Sequence, residues 1–508
     1  MSSNPTEIVH QLKQDFQELI EFVTQAESKT RTAYEVELKL FRSLLALGAE
    51  LLRLFFVQRA AERPEEPVYE PDGTSLSYHS MRRTTYFSVF GKVQFQRQTF
   101  YEAGKEGVCP LDAELSLPPR RYSDLLRDGA EYSTTTESYD ESNHILERIL
   151  DLSISKLALE TGVQEDAVDV EAFYEQKPVP LPDKEGAILV IQADGKGVPM
   201  VRQEIAPHVA RRGKGKKRTK KKEAVVTAIY TIAPYERAPE EVADRLMREL
   251  TEKEEEQRRT KTASSRPAPV GKEVRATLYG KDTAFERLVR RVAQRDGPHI
   301  QHYVALTDGD NALQSQIEDN LSKFTLVLDI IHVSEYLWGA VNALLGEKHP
   351  DRNTWVKDRL LLILSDKTEA VIQDLESHLQ AASLSEAQRD TLSAAIRYYR
   401  RNLPYMHYGT YLARGWPIGT GVVEGACGHL VKDRMERSGM RWTKAGAQAI
   451  LDLRAVRIND DWDAYQTFHR QCQHLRLYNR PLGAIPAPEL FTRGATVPEA
   501  EVMTSNCF

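Results

Sequence analysis

The segment Ala187–Asp194 reads AILVIQAD, an apolar run that ends in a carboxylate. A run of that length and composition is expected to be a buried strand, with Asp194 in phase with Ile188, Val190 and Gln192. A buried carboxylate without a partner is costly. Asp194 therefore either caps the turn suggested by Gly195 and Gly197 or serves as a ligand held on a rigid element. The same design recurs at Tyr303–Asp308, YVALTD, followed by Gly309.

The elements around these two strands define the architecture expected. Val198–Gln203 reads as the second strand of a hairpin turned at Gly195 and Gly197, and Ala224–Ile232 as a third strand. Then come a charged helix over Glu240–Arg259, a Ser/Pro linker over Thr262–Gly271, a short strand at Val274–Leu278 and a helix at Thr283–Gln294. The strand ending in Asp308 precedes a helix at Asn311–Leu321 and a strand at Phe324–Ile331. Three strands in hairpin order followed by helix, strand, helix, strand make a mixed α/β pattern, in the order of a ribonuclease-H-like sheet. From residue 333 to 415 the periodicity is helical throughout, an all-α insertion. Arg414–Gly421 is a turn, Val422–Arg437 a helix, and Lys444–Arg457 the last substantial helix.

A chain of 508 residues exceeds one compact core. The expected division is a mostly helical domain with a β-hairpin over 1–180, for DNA-end binding or oligomerisation. The ribonuclease-H-like catalytic domain covers 185–332 and 416–470, the insertion 333–415, and a flexible tail 481–508. In the first domain, helical spacing runs from Glu7 to Gln58. Thr85–Gln94 and Phe95–Tyr101 suggest a hairpin at Gly91, Leu125–Leu157 is helical, and Pro178, Pro180 and Pro182 form a stiff boundary. The four cysteines form no close pair, so no zinc ribbon or disulfide framework is expected, and a reducing interior suits them. Leu44–Val57, the most apolar stretch, is too short to cross a bilayer. No basic-then-apolar leader opens the chain, so a soluble intracellular protein with no membrane partner is expected.

The third acid is Glu424, near the start of the helix entered through Gly419 and Gly421; Glu436 is its rival, about a third of a turn around the axis. Asp310 rivals Asp308, although it sits where it can cap the following helix. Each acid alone is an ordinary strand-end or helix-start residue. Together, two strand-end aspartates and a later helical glutamate can cradle two divalent ions about 4 Å apart, as phosphodiester chemistry uses them. Oxygen ligands favour Mg²⁺, or Mn²⁺. Asp329 and His332 follow an apolar strand and can lie beside the acids. No Gly-x-Ser-x-Gly setting points to a covalent hydrolase.

Net charge is −6, so nucleic-acid binding requires local basic surface. One such segment lies between the second and third expected strands: Arg211, Arg212, Lys214, Lys216, Lys217, Arg218, Lys220, Lys221 and Lys222, with no acid among them. Phosphate binding by it would be salt-sensitive and indifferent to base identity. Arg434, Arg437, Arg441, Trp442 and Lys444 are further candidates for DNA contact.

These motifs resemble a known family. Asp194-Gly, Asp308-Gly, Asp329-x-x-His332 and Glu424-Gly are similar to the acid triad and Asp/Cys-x-x-His signature of Mutator-like transposases. DGKGVPM at 194–200, GTGVVEGAC at 419–427 and RMERSGMRW at 434–442 resemble most the Kra branch of bacterial insertion-sequence transposases. The likeness spans about Ala187–Phe468. It implies Asp194, Asp308 and Glu424 as catalytic, metal-holding acids, with Asp329 and His332 shaping the site. It also implies Mg²⁺ or Mn²⁺ as two ions, double-stranded transposon-end and target DNA as substrate, a homo-oligomer, and a bacterial cytoplasmic, nucleoid-associated setting. Relatives often carry an N-terminal Cys pair, whereas here Tyr101–Gly104 has none and Cys109 stands alone. Two other readings remain: a transposase-derived DNA-binding protein that no longer cuts, and a ribonuclease-H-like nuclease without strand transfer.

Overall fold

A computed structural model describes residues 4–25, 30–62, 68–69, 73–104, 107–201, 221–247, 267–381 and 384–478. The chain divides into two compact units, Met1–Tyr174 with Asp461–Phe508, and Glu175–Asp460. Among the described residues no helix is long and apolar enough to cross a membrane.

The first unit opens with two helices, Pro5–Thr24 and Ala33–Ala61. Asn4 caps the first by accepting from Thr6 N–H at 3.0 Å, and Thr32 and Glu35 form a reciprocal capping box on the second. Ile8, Leu12 and Leu19 pack with Leu47 between them. Strands β1 (Ser77–Ser88) and β2 (Gly91–Tyr101) form the expected hairpin, which starts at Ser77 rather than Thr85. Its inner face joins Val93 and Phe95 to Phe56 and Ala60, the Phe56 and Phe95 rings stacking at 4.3 Å.

Helices Asp124–Thr134, Tyr139–Leu150 and Lys156–Asp166 follow, and Trp462–Tyr478 completes this unit. Lys444–Arg457 is thus not the last substantial helix, and the second unit closes at Asp460 instead of continuing to 470. Apolar periodicity under-reports Trp462–Tyr478 because half of its buried face is polar. Trp462, Tyr465 and Phe468 share it with Gln466, His469, Gln473 and His474. His469 lies 2.7 Å from Asp169 and 3.2 Å from Asp166 through its two ring nitrogens, and Arg476 brackets Asp169 at 2.5 and 2.9 Å. The expected tail, 481–508, lies outside the described residues.

Glu131 is buried in this unit, and its Oε2 has no hydrogen-bond partner among the described residues. Burial, opposed by the charges of Arg127 and His469, pushes its carboxyl from 4.5 up to about 7. The folded pKa lies above the ordinary one, so the stability carried by the protonated form is complete below about 4.5 and lost as pH rises through about 7. Glu131→Gln removes that loss. Denaturant unfolding is expected to show little difference from wild type at pH 5. By pH 8 the variant should lead by a few kcal/mol, on the order of 3. A gap that stays constant with pH would count against the buried-acid account.

The second unit is a mixed α/β structure. Its strands are β3 (Ile188–Pro199), β4 (Lys221–Ile232), β5 (Val270–Thr277), β6 (His302–Thr307) and β7 (Thr325–Leu328), in sheet order β5-β4-β3-β6-β7. The β5–β4 and β4–β3 pairings are antiparallel, and β3–β6 and β6–β7 are parallel. The sheet is covered on both faces. Ile188, Val190, Val304 and Leu306 pack under the helical block that follows β7. Leu189, Ile191, Ala193 and Ala305 pack under Lys281–Arg295 and Asn311–Asn320. The helical block comprises Ile330–Leu345, Arg352–Leu364, Thr368–Ala381 and Glu386–Asn402. The expected helix 240–259 is described as Pro239–Met247; the remainder lies outside the described residues.

Two local expectations are corrected. The chain does not turn at Gly195 and Gly197: β3 runs straight through them to Pro199, and Val198 onward is its continuation rather than a second strand. Neither glycine takes the left-handed backbone of a hairpin turn. A Cβ at Gly195 would lie 2.4 Å from the Glu223 carboxylate, and one at Gly197 3.0 Å from Lys221 Cδ, both on β4. The glycines make room across the sheet. The strand expected over Phe324–Ile331 ends at Leu328, because Asp329 caps a helix, accepting from His332 N–H at 3.0 Å.

Candidate functional site

The last paired row of the parallel β3–β6 ladder is Gln192 with Leu306. Asp194 and Asp308 each lie two residues beyond that row, and side chains alternate along strands. Both acids therefore fall on the face of Val190 and Leu306, the one covered by the helical block. Both are half-buried.

Gln192 ties this face to the turn that carries Glu424. Its amide donates to Tyr230 Oη at 3.0 Å and to Gly419 O at 3.3 Å, and its carbonyl accepts from Val423 N–H at 2.9 Å. Glu424 sits in the first turn of Gly421–Ala426, where the helix dipole favours an acid. Thr420 Oγ1 donates to Glu424 Oε1 at 2.6 Å. The expected helix 422–437 is interrupted after Ala426 by a π-turn over Cys427–Lys432, a feature common near functional sites. There the Cys427 thiol donates to Asp194 Oδ2 at 3.2 Å. Burial first, then the Asp194 charge and hydrogen bond, push that thiol well up, and Glu424 adds to the shift. The thiol stays protonated and remains a donor.

Asp308 Oδ1 accepts from Asp310 N–H at 2.9 Å, while Tyr398 Oη donates to the Asp308 carbonyl at 2.9 Å. Asp310 is occupied otherwise. It caps Asn311–Asn320 through Leu313 N–H at 2.9 Å and faces Lys281 Nζ at 3.2 Å.

Asp329 is fully buried. Its Oδ1 accepts from Thr420 N–H at 3.0 Å; its Oδ2 accepts from His332 N–H and lies 2.8 Å from His332 Nδ1. The hydrogen bond to Asp329, opposed by burial and helped by the charges of Asp329, Glu335 and Asp308, raises the His332 pKa from 6.5 to about 9. His332 Nδ1 is also 4.0 Å from Glu424 Oε1. One ligand atom each from Asp329, His332 and Glu424 lie within 4.8 Å of one another, a group that could hold a metal ion. Of the five expected site residues, these three converge directly. Asp194 and Asp308 are not part of that group: Asp194 bonds to Cys427, three residues past Glu424, and Asp308 lines the cleft beside His332.

A cleft of about 890 Å³ opens beside them, lined by Asp308, His332, Glu335 and Tyr336 on one side and by Arg397, Tyr398 and Arg401 on the other. Tyr336 and Tyr398 stack at 3.9 Å. Arg401 donates to Gly309 O at 2.5 Å, and Arg397 is exposed one turn away. The sequence reading missed Gln192, Thr420, Cys427, Arg397 and Arg401 as site residues. A glutamine inside an otherwise apolar strand was a legible signal; two arginines four apart on a helix were not, since most solvated helices carry such pairs.

The basic candidates divide. Arg211, Arg212, Lys214, Lys216, Lys217, Arg218 and Lys220 lie outside the described residues. Lys221 is exposed and pairs with Glu436, and Lys222 is half-buried on β4. Arg437 and Arg441 are exposed, and Lys444 Nζ sits 4.0 Å over the Tyr279 ring. Arg434 and Trp442 do not offer DNA a surface. Both are buried, with the guanidinium 4.7 Å over the indole. The Trp442 backbone bridges to β3 through Pro199 O at 3.0 Å, and its indole N–H donates to Met435 O at 3.1 Å. An Arg and a Trp eight residues apart look equally suited to phosphate or core in sequence; packing decided for the core.

A family model described as an uncharacterised protein family (UPF0236) matches residues 35–259, a span that includes Asp194 and stops before Asp308. No curated protein matches the chain.

Proposed function

We propose that Glu175–Asp460 is the catalytic unit of a DNA transposase of the Mutator-like type, nearest the Kra branch of bacterial insertion-sequence enzymes. In this reading it cleaves transposon ends and joins them to target DNA. The observation that carries the reading is the placement of the acids. Asp194 and Asp308 each lie two residues past the last paired row of two neighbouring parallel strands, on one face of the sheet, and Gln192 on that face ties down the turn that presents Glu424. The sheet order β5-β4-β3-β6-β7, antiparallel on one side of β3 and parallel on the other, supports a ribonuclease-H-like assignment.

The donor set fits divalent ions. Asp194, Asp308 and Glu424 supply hard carboxylate oxygens suited to Mg²⁺ or Mn²⁺. Asp329, His332 and Glu424 form the tightest group, and its imidazole widens the range of ions accepted. When bound, such ions supply positive charge that activates an attacking oxygen and stabilises a leaving one.

The chain's own residues do the positioning. Gln192 holds the Glu424 turn against β3, Thr420 holds the Glu424 carboxylate, and the Cys427 thiol fixes one oxygen of Asp194. Asp329 orients His332 and keeps it protonated near neutral pH, so any ligation by its nitrogen must first release a proton. Arg397 and Arg401 give the cleft cations for a phosphate backbone.

The test is a cleavage and joining assay with full-length protein, on duplex DNA bearing the terminal repeats that should flank the gene. With Mg²⁺ or Mn²⁺, nicked ends and joined products are expected; chelation should remove both. Cleavage without joining would favour a nuclease. Binding without cleavage would favour a protein that only recognises DNA.

A further inference from the structure

In the first unit, the helix Ala33–Ala61 carries an apolar seam left open to solvent. Tyr34, Phe41, Leu44, Leu51 and Phe55 are between 41% and 71% exposed. Together with positions 37 and 48 they are spaced alternately by three and four, the a/d spacing of a helix made to meet another helix. The seam's two remaining inner positions are Glu37, near its start, and Gly48, near its middle. At Gly48 the missing side chain is replaced from elsewhere. A Cβ there would lie 2.5 Å from Cδ1 of Phe90, which reaches over from the β1–β2 turn and is itself 41% exposed. The ring closes the gap and makes the seam continuous. Other sides of this helix are already used, Leu47 against Pro5–Thr24 and Phe56 and Ala60 against the hairpin.

We propose that this seam, completed by Phe90, is the surface through which two copies of the chain pair, antiparallel, about a two-fold axis. Area favours a specific partner. The six side chains expose roughly 600 Å², most of the ~800 Å² per partner of a standard interface, before any polar rim is counted. Charge and register favour a second copy in the antiparallel sense. A parallel pairing sets Glu37 against Glu37, like charges at a seam position. An antiparallel pairing whose two-fold axis passes at Ala46 places Phe41 against the partner's Leu51, Leu44 against the Gly48–Phe90 site, and Tyr34 opposite Gln58 at the end of the seam. It places Glu37 beside Phe55, so no acids meet. The pairing is isologous and closes as a dimer.

The test reads the mass of full-length protein by sedimentation or light scattering at micromolar concentration. Wild type is expected to be a dimer. F41E/L51E sets Glu against Glu across the axis and should raise Kd at least ~100-fold, giving a monomer with unchanged circular dichroism. F41E/L51K sets Glu against Lys in the antiparallel register and should keep the dimer; in a parallel pair it would set like against like. L125E, an exposed leucine outside the seam, should leave the dimer intact. A monomeric wild type, or a dimer retained by F41E/L51E, overturns the proposal. If F41E/L51E fails to fold, F41E/L51K decides alone: a folded monomer overturns it, and a folded dimer supports it.

Discussion

Asp194→Asn is expected to abolish strand cleavage, by about a thousandfold or more, roughly 4 kcal/mol of transition-state stabilisation, while DNA-end binding persists. The substitution is nearly isosteric and removes only charge. Asp194 sits within β3, paired with Val226 of β4, so neither strand nor sheet depends on its ionisation. Its Oδ1 accepts from Gly195 N–H at 2.6 Å, a bond that an asparagine carbonyl can keep. The Cys427 thiol loses its charged acceptor, a change confined to the site. In the proposed reading, what disappears is a hard anionic oxygen suited to a divalent ion. Glu424→Gln should behave alike. Cleavage by purified Asp194→Asn protein at near wild-type rate would end the transposase assignment; loss of folding, read by circular dichroism, would show a structural role instead.

The second large effect is on stability. Asp329→Ala should destabilise the second unit by roughly 3–5 kcal/mol. The carboxylate is fully buried and accepts from two backbone N–H groups, those of His332 and Thr420, as well as facing the His332 ring. Truncation uncaps Ile330–Leu345, orphans the Thr420 N–H and detaches the turn leading to Glu424. It should also erase a pH dependence. The folded pKa of His332 is raised from 6.5 to about 9, so the stability from its protonated form is whole below about 6.5 and lost as pH climbs through about 9. Wild type should weaken across that window and Asp329→Ala should not. Asp329→Asn, which keeps an acceptor, should fall between the two. A loss under ~1 kcal/mol by denaturant unfolding would refute this account.

Several features are legible in the sequence itself. Apolar runs ending in Asp194 and Asp308 identify the central strands because burial demands unbroken apolar side chains there. Asp310 as a helix cap followed from its place before Asn311. The interrupted helix beyond Glu424 was not legible, since a π-turn has no strong residue preference. Nor was the true path of the chain at Gly195 and Gly197, because glycine is compatible with a turn and with a crowded strand alike. Trp462–Tyr478 was missed for a related reason: its buried histidines and glutamines look like surface until Asp166 and Asp169 are set against them.

Sequence alone determined most of the strands and helices, because hydrophobic period and capping act over a few residues, and it nominated the acids, because a carboxylate closing an apolar strand is conspicuous. Tertiary structure decided their company. Asp329, His332 and Glu424 converge, Cys427 bridges to Asp194, and Arg434 and Trp442 turn inward through contacts between distant segments. Such contacts depend on how helices seat on the sheet, which local spacing does not encode.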